Sequence, residues 1–102
     1  MGRTAKNVYT EPGDIRRIQG FVVALPGQAR VRITTRDGGI HTGTVTERPA
    51  AQVFEDASGS TGMNGLLRID SSGPLEASTY LWLGDIKRVE RLIENESSRD
   101  VV

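Results

Sequence analysis

The stretch Arg30-Val31-Arg32-Ile33-Thr34-Thr35-Arg36-Asp37-Gly38-Gly39-Ile40-His41-Thr42-Gly43-Thr44-Val45 sets the architecture of this chain. Val31, Ile33 and Thr35 alternate with Arg30, Arg32, Thr34 and Arg36, the period of two that sets one strand face on a core and the other outside. Asp37-Gly38-Gly39 tolerates positive φ and turns the chain back as a β-hairpin. The returning run is rich in Thr, which suits a pleated surface. Gly43 in its middle has no side chain to pack and marks a bend or a close backbone approach. Strands are expected over about 30–36 and 40–47.

Upstream the period is 3.6. Ile15, Ile18, Val22 and Leu25 recur at helical spacing, with Arg16, Arg17 and Gln19 on the other side. Thr10 can cap the first backbone donors, Pro12 fits the first turn, and Pro26-Gly27 stops the run. The spacing predicts an amphipathic helix over about 11–25. Residues 1–9 are polar and patternless and read as a flexible tail.

Downstream, residues 51–55 together with 66–70 supply strand signals around Val53 and Leu67-Arg68-Ile69. The Gly/Ser-rich segment 57–65 between them reads as a flexible excursion, and Ser71-Ser72-Gly73-Pro74 breaks the run. Thr79-Tyr80-Leu81-Trp82-Leu83 is the most β-prone stretch of the chain. Beyond Gly84 the pattern alone favours a helix, with Ile86, Val89, Leu92 and Ile93 at i, i+3, i+6 and i+7 and Asp85 as cap. Residues 95–102 read as a second flexible tail, which leaves a single domain over 10–94.

Composition bounds the chemistry. The chain has 102 residues, no Cys and one His, so disulfides, thiolate metal sites and cysteine nucleophiles are excluded. No cofactor and no metal are expected. Thirteen basic and thirteen acidic side chains give a formal net charge of zero, which argues against a generic polyanion binder. The sum conceals an asymmetry: residues 1–48 hold eight basic and four acidic groups (+4), and residues 49–102 hold five and nine (−4). The longest apolar run, Phe21-Val22-Val23-Ala24-Leu25, is far short of the ~20 residues of a membrane span. No secretory leader is expected at Met1, and the expected location is cytoplasmic.

One helix followed by about five short strands, with a glycine bend in the second, suggests a small bent barrel. Here the residues resemble a family. Val31-x-Ile33 leading to Arg36-Asp37-Gly38, then Gly43-Thr44-Val45, is similar to the first Sm motif. Leu83-Gly84-Asp85-Ile86 through Val89 is similar to the second. The chain most resembles small uncharacterised bacterial proteins with a variant Sm-like fold. The resemblance implies a mainly β protein, an N-terminal helix followed by a strongly bent five-stranded antiparallel Sm-like barrel, an SH3-like architecture. It also implies that residues 87–93 form the fifth strand, which is adopted over the helical pattern, and that the fourth and fifth strands pair between neighbours to build oligomers. Tyr80, Trp82, Val89 and Arg91 are then the candidate oligomer interface of a homo-oligomer.

The Sm family holds RNA bases with an Asp and an Asn after the second strand and a basic residue before the second-motif glycine. Here the corresponding positions are Pro49, Gln52 and Leu83, and Lys87-Arg88 lacks the His of the bacterial host-factor pair. The usual RNA pocket is therefore not written in this chain. The leading reading is a non-enzymatic, self-associating binding module. The alternative is weak RNA binding through Arg16, Arg17, Arg30, Arg32 and Arg36, since Arg contacts phosphates and stacks on bases. A small hydrolase using His41 is the remote third, because no Gly-x-Ser-x-Gly elbow is present. The glycines at 59, 62 and 65 form no P-loop, and Glu55, Asp56 and Asp70 match no EF-hand spacing.

Overall fold

The computed structural model describes residues 3–71 and 77–92. Of the expected break at Ser71-Ser72-Gly73-Pro74, Ser71 still belongs to a strand, paired with Ala77, and the other three lie outside those residues, as do Ile93 at the end of the last strand and the tail 95–102. In chain order the elements are β1 (Arg3–Thr4), α1 (Pro12–Ala24), β2 (Arg30–Thr35), β3 (Ile40–Val45), β4 (Gln52–Glu55), β5 (Thr61–Asn64), β6 (Leu66–Ser71), β7 (Ala77–Trp82), a 3-10 turn (Leu83–Asp85) and β8 (Ile86–Arg91). Five strands form one antiparallel sheet in the order β7-β6-β3-β2-β8. A smaller sheet has the order β1-β4-β5. Among the described residues the chain is mainly β with one helix, as the Sm-like resemblance implies.

The central hairpin forms where the alternation places it, with Arg30 opposite Thr44 and Thr34 opposite Ile40. Asp37 fixes its turn by accepting hydrogen bonds from the Thr35 hydroxyl and the Gly39 N–H, while Gly38 takes φ 92°. Gly43 is a close approach: a Cβ there would lie 2.8 Å from the Asp70 carbonyl oxygen of β6. The core under the sheet is aliphatic. Ile18, Leu25, Val31, Ile33, Val45, Leu67, Leu83 and Ile86 are fully buried. Helix α1 contributes Ile18, Phe21 and Val22 to this core and leaves Val23 outside, and Leu25 at its C-cap is buried with them. Its N-cap is Glu11, without a side-chain cap bond, so Thr10 does not take the capping role expected of it.

Residues 57–65 are not the loose excursion their composition suggests. β4 and β5 are a hairpin pairing Gln52 with Asn64 through Glu55 with Thr61. Its turn is held by Asp56, whose carboxylate accepts from the Ser58 hydroxyl and N–H and the Ser60 N–H. Thr61-Gly62-Met63-Asn64 is a strand because main-chain pairing needs no particular side chain.

Residues 3–9 depart from a flexible tail for the same reason. β1 runs parallel to β4, with Arg3 opposite Phe54, and the Ala5 N–H donates to the Glu55 carbonyl at 3.0 Å. Tyr9 then exchanges two backbone hydrogen bonds with Met63 on the other edge of the hairpin, at 2.7 and 3.0 Å. A Cβ at Gly62 would lie 2.8 Å from the Tyr9 carbonyl, so this crossing needs glycine. Ala5 is buried and Tyr9 packs on the core.

The segment after Asp85 is a strand, and its misleading helical spacing has a structural cause. Thr35 pairs with Ile86 but Thr34 pairs with Arg88, so Lys87 is one extra residue in β8. A bulge shifts the side-chain alternation by one. Ile86 and Val89 therefore both turn inward, three residues apart.

Candidate binding surfaces

The first surface is backbone. β7 and β8 are the edges of the five-stranded sheet, each six residues long, and neither has a second neighbour among the described residues. The Leu92 N–H donates to the Arg30 carbonyl at 2.9 Å. Because N–H directions alternate along a strand, those of Val89 and Arg91 point away from β2. On β7 the Leu83 N–H bonds the Gly65 carbonyl, so by the same alternation the N–H groups of Ser78, Tyr80 and Trp82 point outward. The side chains expected at an interface are placed differently from one another. Tyr80 is 58% exposed on the outer face of β7 opposite Arg68. Trp82 packs edge-to-face on Phe54, centroids 5.3 Å apart. Val89 packs on the chain's own core, and Arg91 is exposed at the end of β8.

The five arginines singled out from the sequence do not form one ridge. Arg17 lies under the body of the protein: it donates to the Ile86 carbonyl at 3.1 Å and the Gly84 carbonyl at 3.4 Å, pairs with Asp14, and stands over the Tyr9 and Phe21 rings. Arg32 faces Glu90 across the β2–β8 pair at 3.7 Å. Arg30 shares that outer face of β2 and is half-buried. Arg36 lies beyond β2, its N–H on the Asp85 carbonyl, and Arg16 is exposed on α1.

Two grooves accompany these surfaces. One, of about 420 Å³, gathers Lys6, Arg36, Asp37, His41, Trp82 and Asp85. Asp37 is held below the ordinary carboxylate range by the Thr35 hydroxyl first and the Gly39 N–H next, with a small contribution from His41. Here the acidic and basic groups balance, and no hydroxyl nucleophile is bonded to His41 among the described residues. The larger groove, of about 560 Å³, lies between the outer face of β6–β7, the β1–β4 pair and the loop after β3. It collects Arg3, Arg48 and Arg68, which the linear pattern did not group. Arg68 was legible, since it alternates with the buried Leu67 and Ile69. Arg3 was not, because only the pairing of β1 with β4 brings it there. Among the described residues no cluster of His, Asp and Glu is placed to hold a metal ion. Among them also, no helix is long and apolar enough to cross a membrane.

Residues 2–92 match the family described as domain of unknown function DUF3247. The chain belongs to the DUF3247 family. This DUF3247 chain is also similar to a protein of Xanthomonas campestris whose crystal structure is described as adopting a novel variant of the Sm-like motif. The two are 36% identical, with a TM-score of 0.86 over 91% of this chain and all of the other. No curated protein matches it. The Sm-like resemblance carried by the Asp37-Gly38 turn, Gly43 and the Gly84-Asp85 turn is thereby confirmed at the level of the whole fold.

Proposed function

We propose that this DUF3247 protein is a non-enzymatic self-association module in which β7 of one copy pairs with β8 of the next. The observation that carries the reading is the pair of six-residue edges left without a second neighbour among the described residues. An edge strand of that length offers a row of unpaired N–H and C=O groups; β8 carries two of the devices that blunt such an edge, charged side chains and a bulge, whereas β7 carries no Pro, no charge and no bulge. The Lys87 bulge shortens the regular part of β8 but leaves Arg88 to Arg91 in register with β2. Joining two different edges is heterologous and closes into a ring when the rotation permits. The same fold carries little equipment for catalysis, with one His facing a charge-balanced groove and no Cys.

Size-exclusion chromatography with light scattering tests this on wild type and on Arg91→Pro. Proline removes the outward N–H of an exposed residue and leaves the β2 ladder bonds in place. Wild type is expected to elute at a multiple of 11.1 kDa and the variant at a lower mass with unchanged circular dichroism. A wild-type monomer at every concentration would contradict the reading.

A further inference from the structure

The larger groove carries a separate inference that does not rest on self-association. Its charged lining is three guanidinium groups, Arg3, Arg48 and Arg68, against one carboxylate, Glu47. The lining alone carries an excess of two positive charges, and Asp70, paired with Arg68 from outside the lining, leaves an excess of one in a chain whose total is zero. The guanidiniums keep donors free. Arg68 is anchored to Asp70 through Nε at 3.2 Å, which leaves its terminal nitrogens, and Arg48 gives one bond to the Val22 carbonyl. Five N–H donors are available per guanidinium, so both anchors orient a fork rather than consume it. Arg3, exposed on β1, makes no ion pair among the described residues.

Beside these cations lies an apolar surface that the fold does not cover: Tyr80 at 58% and Leu66 at 44% exposure, with Phe54 in the wall. A tyrosine face in the open is a stacking platform for a flat ring. Glu47 and Gln52 line the same groove and supply acceptors for hydroxyl groups. The volume of about 560 Å³ is within the range of small-ligand sites. A dianion, hydroxyls and a flat ring occur together in one ligand class. We propose that this groove binds a nucleoside monophosphate: the phosphate on the Arg3, Arg48 and Arg68 forks, the sugar hydroxyls toward Glu47 and Gln52, and the base on Tyr80. A phosphomonoester carries about −1.5 to −2 at neutral pH and accepts guanidinium forks in bidentate fashion, which suits three guanidiniums with terminal donors to spare. This is recognition through the phosphate and the ring face, and no base-edge reading is involved.

Binding is read by isothermal titration calorimetry, because Trp82, the chain's one Trp, lines the smaller groove and its fluorescence responds to ligand there as well. Titrations with AMP, UMP, adenosine and inorganic phosphate read the parts separately. The expected result is that AMP and UMP bind with a Kd below about 1 mM and at least about tenfold more tightly than adenosine or phosphate alone. Arg3→Glu, at an exposed position with no ion pair to lose among the described residues, is expected to weaken AMP about tenfold while the melting temperature is unchanged. Tyr80→Ala is expected to weaken AMP and leave phosphate binding as it was. Adenosine binding as well as AMP, no saturation by either nucleotide, or AMP affinity unchanged by Arg3→Glu would each overturn the proposal. A 5′-phosphorylated dinucleotide distinguishes a free nucleotide from a strand end: displacement of AMP by it, and not by its unphosphorylated form, extends the site to strand ends. No displacement restricts it to the free nucleotide.

Discussion

Asn64 joins three parts of the chain with one buried amide. Its Nδ2 donates to the Asn7 carbonyl at 2.8 Å, and its Oδ1 accepts from the Gly65 N–H at 2.8 Å and the Gly84 N–H at 3.0 Å. Replacing it by Ala strands those groups in a site only 1% exposed, at a cost of about 3 kcal/mol. The urea midpoint of Asn64→Ala is expected to fall accordingly, and an unchanged midpoint would contradict this role. Gly43 is equally specific. Gly43→Ala drives a Cβ onto the Asp70 carbonyl and is expected to cost about 1–3 kcal/mol. Asp37 adds a pH dependence. Its pKa is lower in the folded protein, so its contribution is complete above the ordinary aspartate value of 3.8 and is lost as pH falls through the folded value. Asp37→Asn is expected to lessen the loss of stability below about pH 4, read from urea midpoints across that range. None of the Asn64 contacts was legible in the sequence, where Asn64 stands among Gly, Ser and Thr. The importance of Gly43 was legible, because a glycine inside a strand pattern gives up side-chain packing and so marks a place where a Cβ would collide.

At the scale of elements, the helix and the central hairpin follow from period alone, and the rest follows from pairing. Helix α1 carries Gly20 on an open side, with nothing within 4 Å of an added Cβ. Gly20→Ala is therefore expected to raise stability by about 0.5–1 kcal/mol, and a lower melting temperature would contradict the packing described for α1. The β4–β5 hairpin and the residue 3–9 strap escape sequence reading because Gly, Ser, Thr and Asn carry no apolar alternation. Their information lies in backbone bonds. Amide exchange checks the strap: Ala5, Tyr9 and Met63 are expected to be protected, and exchange at unstructured rates would contradict it. β8 misleads for a different reason. Its Lys87 bulge spaces inward residues by three, which imitates a helix, and the Sm-like resemblance corrects this where periodicity does not. The candidate site divides in the same way. Tyr80 and Arg68 are readable as outward strand positions, whereas Arg3 joins them only through β1.

At the scale of the molecule, a zero net charge resolves into distinct local fields. Arg17 and Arg32 are paired within the chain, and the larger groove sets three guanidiniums against one carboxylate in its lining, with Asp70 paired to Arg68 beside it. The two sheet edges remain the widest unsatisfied backbone surface among the described residues, and their pairing between copies is what would build an assembly from this fold. Amide exchange across a protein concentration series reads the outward N–H groups themselves. Val89 and Arg91 on β8, and Ser78 and Tyr80 on β7, are expected to gain protection as concentration rises while Glu90 and Leu92 do not change. Exchange at those four positions that is fast and independent of concentration would contradict edge pairing.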